Sequence, residues 1–242
     1  MCGSEGLSDK SGHNGRMPER AGRFGSLHLE EPHSTVDRVA DELRRAVFDG
    51  ELESGTPLRE MALTESLGVS RPTVREALTM LVAEGLATRE PNRGVSIVEP
   101  EAGSVRDVCR ARRVLEGAGV RRWPDATDEQ RGLVRTTLED YIAAVHADAS
   151  YQELNERHLA FHVSLVGLSG SERLVAMAEA LAVELRLALA QVERIRRNAH
   201  DQADSHAALV RLLEDGDIDG ASVFLDRHLA DAETSIISAL QL

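Results

Sequence analysis

From Ser34 onward, apolar residues recur at steps of three and four through most of the sequence, and only the stretch 86–98 reads instead as two short alternating runs around a turn. A chain patterned this way can bury its apolar surface only by packing helix faces against one another. Its 242 residues, 42% of them hydrophobic, suffice for two modest domains, each with its own core. No apolar run approaches the roughly 20 residues needed to cross a bilayer, and the start lacks the charged-then-apolar order of a secretory signal. The expectation is a soluble, cytoplasmic protein with no membrane partner. Cys2 and Cys109 make neither a disulfide framework nor a metal-binding spacing.

Residues 1–33 contain six glycines and no apolar periodicity, which predicts a disordered tail, with Met17 as an alternative start. Residues 34–100 read as a DNA-binding domain. Val36, Val39, Ala40, Leu43 and Val47 predict a helix over Thr35–Phe48, and a second helix follows over Glu60–Leu67. After Gly68 comes a third, with Val74, Ala77, Leu78 and Leu81 on one face; Ser70 suits its N-cap and Pro72 its first turn. Residues 86–88 and Val95, Ile97 and Val98 flank a turn at Pro91, Asn92 and Gly94, which predicts a hairpin wing. Residues 101–242 predict an all-α bundle of about six helices, broken near Pro124, 167–170, 196–200 and 216–220. Its long helix carries a stripe of Leu174, Met177, Leu181, Leu185, Ala188 and Val192, expected to face inward. The fold class is therefore mainly α, a winged helix-turn-helix followed by a helical bundle.

No segment is basic overall: residues 34–100 hold 8 basic and 12 acidic groups, and the whole chain carries −13. Non-specific polyanion binding is thereby disfavoured, and DNA contact must come from a local arginine cluster. The third helix offers one. With its apolar face turned inward, Arg75 and Thr79 point outward, while Ser70, Arg71 and Thr73 gather at its start. Arginine bonds bidentately to a guanine edge or clamps a phosphate, so Arg71 and Arg75 are the candidate readers. Arg89 and Arg93 flank the wing turn, where Gly94 admits close approach to a sugar-phosphate chain. Against this stand Glu76 and Glu84, which oppose phosphate, and the alternative that both arginines are ordinary solvated charges.

The run Leu67-Gly68-Val69-Ser70-Arg71-Pro72-Thr73-Val74-Arg75-Glu76-Ala77-Leu78, with Glu84-Gly85-Leu86 and Pro91-Asn92-Arg93-Gly94 behind it, resembles the winged helix-turn-helix of GntR-family transcription regulators. That family often has Ser-Arg-Thr-Pro where this chain has Pro72 and Thr73 in the opposite order.

Four of the nine histidines fall on apolar helix faces. His158 and His162 lie one turn apart beside Leu154, Phe161 and Leu165; His206 accompanies Leu209, Val210 and Leu213; His228 accompanies Phe224, Leu225 and Ala232. Any one alone reads as a hydrogen-bonded core residue. Together, buried without a shared partner, they leave several polar nitrogens unsatisfied, and an i, i+4 pair with one histidine from each of two later helices is a usual way to hold a metal.

His158-Leu159-Ala160-Phe161-His162, the Ser169-Gly170 turn, His206 and His228 resemble the FCD ligand domain of the FadR-type branch of that family. The resemblance implies a metal on those four histidines, with His158 where the family usually has aspartate and Ser171 where it often has asparagine. Loss of that carboxylate leaves a divalent ion its full formal charge, favours zinc, nickel or another imidazole-preferring ion, and strengthens attraction to an anionic effector. Arg112, on the stripe of Val108, Cys109 and Leu115, matches an inward arginine of the family; the alternative pairs it with Glu116 at the surface.

The implied protein is a homodimeric, metal-containing regulator of a palindromic double-stranded DNA operator, responsive to a small organic acid. Two rivals stay open. One is a helical metalloenzyme with Glu156 or Glu184 as general base; the other is a regulator whose metal is purely structural.

Overall fold

The helices that start after Ser34, Ser70, Thr127 and Ser150 are each capped by that residue, whose hydroxyl accepts a free amide three residues on. In the computed structural model, which describes residues 34–196 and 198–239 with side chains outside 190–196, Ser34 caps α1 (Thr35–Phe48). Its hydroxyl accepts the Asp37 amide at 3.1 Å while the Asp37 carboxylate accepts the Ser34 amide at 3.0 Å. Helix α2 (Glu60–Leu67) ends at Gly68, whose φ of 64° makes the left-handed turn into α3. Helix α3 (Arg71–Ala83) is capped by Ser70, which accepts the Thr73 amide at 3.3 Å. Strands β1 (Ala87–Glu90) and β2 (Gly94–Ile97) pair antiparallel, Ala87 opposite Ile97 and Glu90 opposite Gly94. The disordered tail expected over 1–33 lies outside the described residues.

Six helices follow among the described residues: α4 (Ala102–Val120), α5 (Asp128–His146), α6 (Tyr151–Gly167), α7 (Glu172–Arg196), α8 (Ala199–Glu214) and α9 (Ile218–Ala239). A short 3-10 turn, Trp123–Asp125, makes the corner at Pro124. One break escaped the sequence reading. Between α5 and α6 no glycine or proline marks the turn; Asp148 takes φ 52° instead, and Ser150 caps α6 by accepting the Glu153 amide at 3.2 Å. Gly220, expected within a break, lies in the first turn of α9, because Asp217 accepts its amide at 2.9 Å.

The head formed by α1–α3 and the wing buries Val39, Leu43, Val47, Phe48, Val74, Leu78, Leu81, Leu86 and Ile97 in one cluster. Leu187 of α7 belongs to the same cluster, and Tyr151 of α6 packs against it. Close by, a Cβ on Gly85 would come within 2.4 Å of the Val183 side chain. The head's core is therefore closed by the bundle.

In the bundle, one cluster gathers around Val134, Phe161, Leu165, Leu209 and Leu225, and another around Val108, Leu159, Leu185, Ala188 and Ile236. The α7 stripe is inward only in part. Leu185 and Ala188 are buried, Leu181 is half-buried and Met177 is 56% exposed, so the apolar period continues onto a surface that none of the described residues covers; the side chain of Val192 lies outside the described residues. Where α4 crosses α6, a Cβ on Gly119 would stand 2.0 Å from the Leu165 carbonyl, so only glycine permits the approach. That crossing lies one turn beyond Glu116 and His162 and brings them face to face. Among the described residues no helix is long and apolar enough to cross a membrane.

Candidate functional site

Two separate groups of candidate side chains emerge, one on the head and one inside the bundle. On the head, Arg71, Arg75 and Thr79 stand on the exposed side of α3, with Ser70 and half-buried Thr73 at its start. The Ser70 and Thr73 hydroxyls lie 2.8 Å apart, and the Thr79 hydroxyl donates to the Arg75 carbonyl at 2.8 Å. Arg89 is exposed on β1, Arg93 donates to Glu90 at 3.1 Å, and Gly94 has φ 94° at the wing turn.

Neither reading arginine is a bare solvated charge. Arg75 donates through Nε to Oε1 of Glu60 at 3.1 Å and through Nη2 to Oε2 at 2.9 Å, and Arg71 Nη2 reaches the same carboxylate at 3.5 Å. These bonds hold the Glu60 carboxyl below its ordinary range. Glu60 escaped the sequence reading because an acid in the first turn of a short helix looks like dipole decoration. The carboxylate expected to oppose phosphate, Glu84, is instead taken by Arg44, which donates to it at 2.8 and 2.6 Å; Glu76 stays exposed.

In the bundle, α6, α8 and α9 deliver the four histidines to one place. His158, His162 and His206 each offer a donor atom within 4.8 Å of the other two. His162 Nε2 is 3.2 Å from His158 Nε2, and His206 Nε2 is 3.1 Å from His228 Nε2. His228 thus joins through His206, and its ring stacks on that of His162 with centroids 5.6 Å apart. Burial pushes His162 and His206 well below their ordinary 6.5 and His228 down to about 4, which leaves neutral rings with lone pairs. Ser205 lies 3.1 Å from His228 Nδ1, and Tyr141 stacks on His158 at 5.2 Å.

Sequence reading left Arg112 either facing inward or paired with Glu116 at the surface; it is inward and paired with Glu116, and both are buried. Arg112 Nε donates to Glu116 Oε1 at 2.7 Å, and the other Glu116 oxygen lies 2.7 Å from His162 Nδ1. Burial raises the Glu116 carboxyl while Arg112 pulls it down. A carboxylate that accepts from His162 Nδ1 fixes the tautomer and leaves Nε2 as a free donor, the arrangement metal-ligating histidines commonly have. Glu156 and Glu184, the candidate bases of an enzymatic reading, are both exposed and line no part of the cavity beside the histidines.

His158, His162 and His206 bring together imidazole donors that could hold a divalent transition ion, with His228 beside them through His206. With metal–nitrogen bonds of about 2.0–2.1 Å, neighbouring ligand atoms stand about 3.0 Å apart in octahedral and about 3.4 Å in tetrahedral geometry, and both close imidazole contacts fall between these. His206 Nδ1 and Arg112 Nη2 are buried with no hydrogen-bond partner among the described residues. A cavity of about 30 Å³, room for about two waters, is lined by Arg112, His158, His162, His228, Asn198 and Leu189 among others.

Comparison with known proteins agrees with this architecture. The family model for bacterial regulatory proteins of the gntR family matches residues 35–97, and the FCD domain model matches residues 107–231. The chain is 31% identical over 176 residues to the Nta operon transcriptional regulator of Aminobacter aminovorans, covering 72% of this chain and 81% of that one. It is 28% identical over 152 residues to the HTH-type transcriptional regulator YdhC of Bacillus subtilis strain 168, covering 62% and 68% respectively. A solved structure of a GntR-type transcriptional regulator from Rhodococcus sp. RHA1 superposes with a TM-score of 0.67 at 29% identity, covering 84% of this chain and 98% of that one. These matches are to transcription regulators and not to enzymes. The helix-turn-helix with its wing, the histidine-lined bundle and both family matches together establish that the chain belongs to the GntR family of DNA-binding transcription regulators and carries an FCD domain.

Proposed function

We propose that the protein is a homodimeric, cytoplasmic regulator in which a divalent transition metal, zinc or nickel, is held by His158, His162, His206 and His228, and a small organic acid bound there changes operator affinity. The observation that carries this reading is the convergence of buried imidazoles beside an arginine with one unpartnered nitrogen. When bound, the ion supplies a Lewis-acidic point that a carboxylate oxygen can complete. Glu116 keeps His162 in the donating tautomer and holds Arg112 in place; Arg112 Nη2 faces the second oxygen of the acid. Leu189 and Ile236 supply apolar lining to the cavity. On the head, we assign base contacts to Arg71 and Arg75, positioning contacts to Ser70, Thr73 and Thr79, and sugar-phosphate contacts to Arg89, Arg93 and the Gly94 backbone. We take residues 34–100 as the DNA-binding domain and 101–242 as the sensing domain.

An acid alters DNA affinity only if it binds one arrangement of the two heads better than another. Helix α7 supports such coupling, since Leu189 lines the cavity while Leu187 sits in the head's core. A two-fold dimer further implies a palindromic operator.

The test is elemental analysis of untagged protein together with acid binding before and after chelation. About one ion per chain is expected, lost in His206→Ala, with acid binding that disappears on chelation and returns with zinc or nickel. Acid binding that survives complete metal removal overturns the proposed ligation.

A further inference from the structure

Beside the exposed side of α3 lies a carboxylate that DNA should repel, yet it pairs with both of that helix's arginines. Glu60 lies at the first turn of α2 and is 24% exposed, against 56% and 57% for Arg71 and Arg75. A surface acid that merely balanced the helix dipole need not pair, and a solvated arginine would sample many rotamers. Here one edge of the Arg75 guanidinium, Nε with Nη2, is matched to both oxygens of Glu60. Guanidinium has five donors in a rigid fork. Using one edge leaves the Nη1 side, with the outer Nη2 hydrogen, as a second bidentate edge, the shape that meets guanine O6 and N7.

We infer that Glu60 is a positioning residue for operator recognition: it aims the free edge of Arg75, with Arg71 tethered beside it, at base edges, and it makes simple phosphate contacts by these arginines costly. The inference rests on α3 being the reading helix. Two consequences are physical. A guanine edge can bond Arg75 without displacing Glu60, whereas an arginine that swings to a phosphate abandons the carboxylate and leaves it near the DNA backbone. Glu60 therefore penalises non-specific duplex more than operator, and the acidic head gains specificity from its own acid.

The experiment uses the full-length protein, a duplex selected by the wild type from a random-sequence pool, and a scrambled duplex of the same composition. Affinities are measured across a salt series for wild type, Glu60→Gln, Arg75→Ala and the double variant. Glu60→Gln is expected to weaken the selected duplex about threefold and strengthen the scrambled one about fivefold, steepening the latter's log–log salt slope by about 0.9, one phosphate's share. The double variant should discriminate no worse than Arg75→Ala alone, because the acid acts through that arginine. A purely structural role cannot raise affinity for scrambled DNA. Equal changes on both duplexes, or none, overturn the inference while leaving α3 as the reader. If Arg75→Ala leaves the selected duplex bound as before, the assignment of α3 itself falls, and the inference with it.

Discussion

Arg75 and Arg112 are each gripped by a glutamate, but the first pair has side chains 57% and 24% exposed and the second 7% and 3%. Surface pairs of the first kind are worth about 0–1 kcal/mol and yield readily to a competing partner. Buried pairs of the second kind carry a large desolvation cost, so removing one partner strands a charge and costs about 3–5 kcal/mol. The head thus keeps its candidate DNA-contacting arginines in a pair whose loss costs the fold little, while the bundle builds its candidate site into the core, where chemistry and stability cannot be separated.

The largest effect that would sharpen this contrast is expected from Glu116→Ala, which strands Arg112 and frees His162 Nδ1. Chemical denaturation should show a loss of about 3–5 kcal/mol, accompanied by weakened metal retention. A loss below about 1 kcal/mol would break the contrast by placing the bundle pair in the same class as the head pair.

A somewhat smaller effect is expected from acid on the metal-free protein. Burial depresses His228 to about 4, and His162 and His206 well below 6.5. The unfolded chain gains these protons as pH falls through about 6.5 and the folded chain does not, so stability is intact above that pH and declines toward pH 4. His228 alone accounts for about 3 kcal/mol of the decline. Glu116, raised by its burial, works in the opposite sense, since protonation relieves its folded form. Unfolding midpoints of chelator-treated protein between pH 7.5 and 4.5 check the direction; a flat profile would show the rings to be solvated.

The smallest effect is expected from Arg75→Ala, which should leave the unfolding free energy nearly unchanged while weakening the selected operator at least tenfold, measured on one preparation. A destabilisation comparable to that of Glu116→Ala would erase the distinction between the two regions.

Local pattern made much of this fold legible. Ser34 and Ser70 announce their helices through side chains that bond an amide three residues on, and the α3 stripe of Val74, Ala77, Leu78 and Leu81 is buried throughout. The histidines were visible for the same reason, each lying on an apolar face. Glu60 was not, because its role depends on Arg75, 15 residues away. For Glu116 the pairing with Arg112, four residues away, was legible, but its burial and its contact with His162, 46 residues away, were not. Met177 shows the converse failure, since periodicity reports that a face is apolar and not that this chain covers it. The turn at 147–150 went unseen because Asp148 adopts the left-handed conformation usually left to glycine.

Leu187 gives the molecule one further property. A side chain contributed by α7 belongs to the head's core cluster, so cutting the chain near residue 100 would expose apolar surface of the DNA-binding part that the bundle now covers. Chimeras that exchange such heads between regulators would fare better if the matching turn of α7 were transplanted as well, because evolution can replace one half here only by renegotiating a seam.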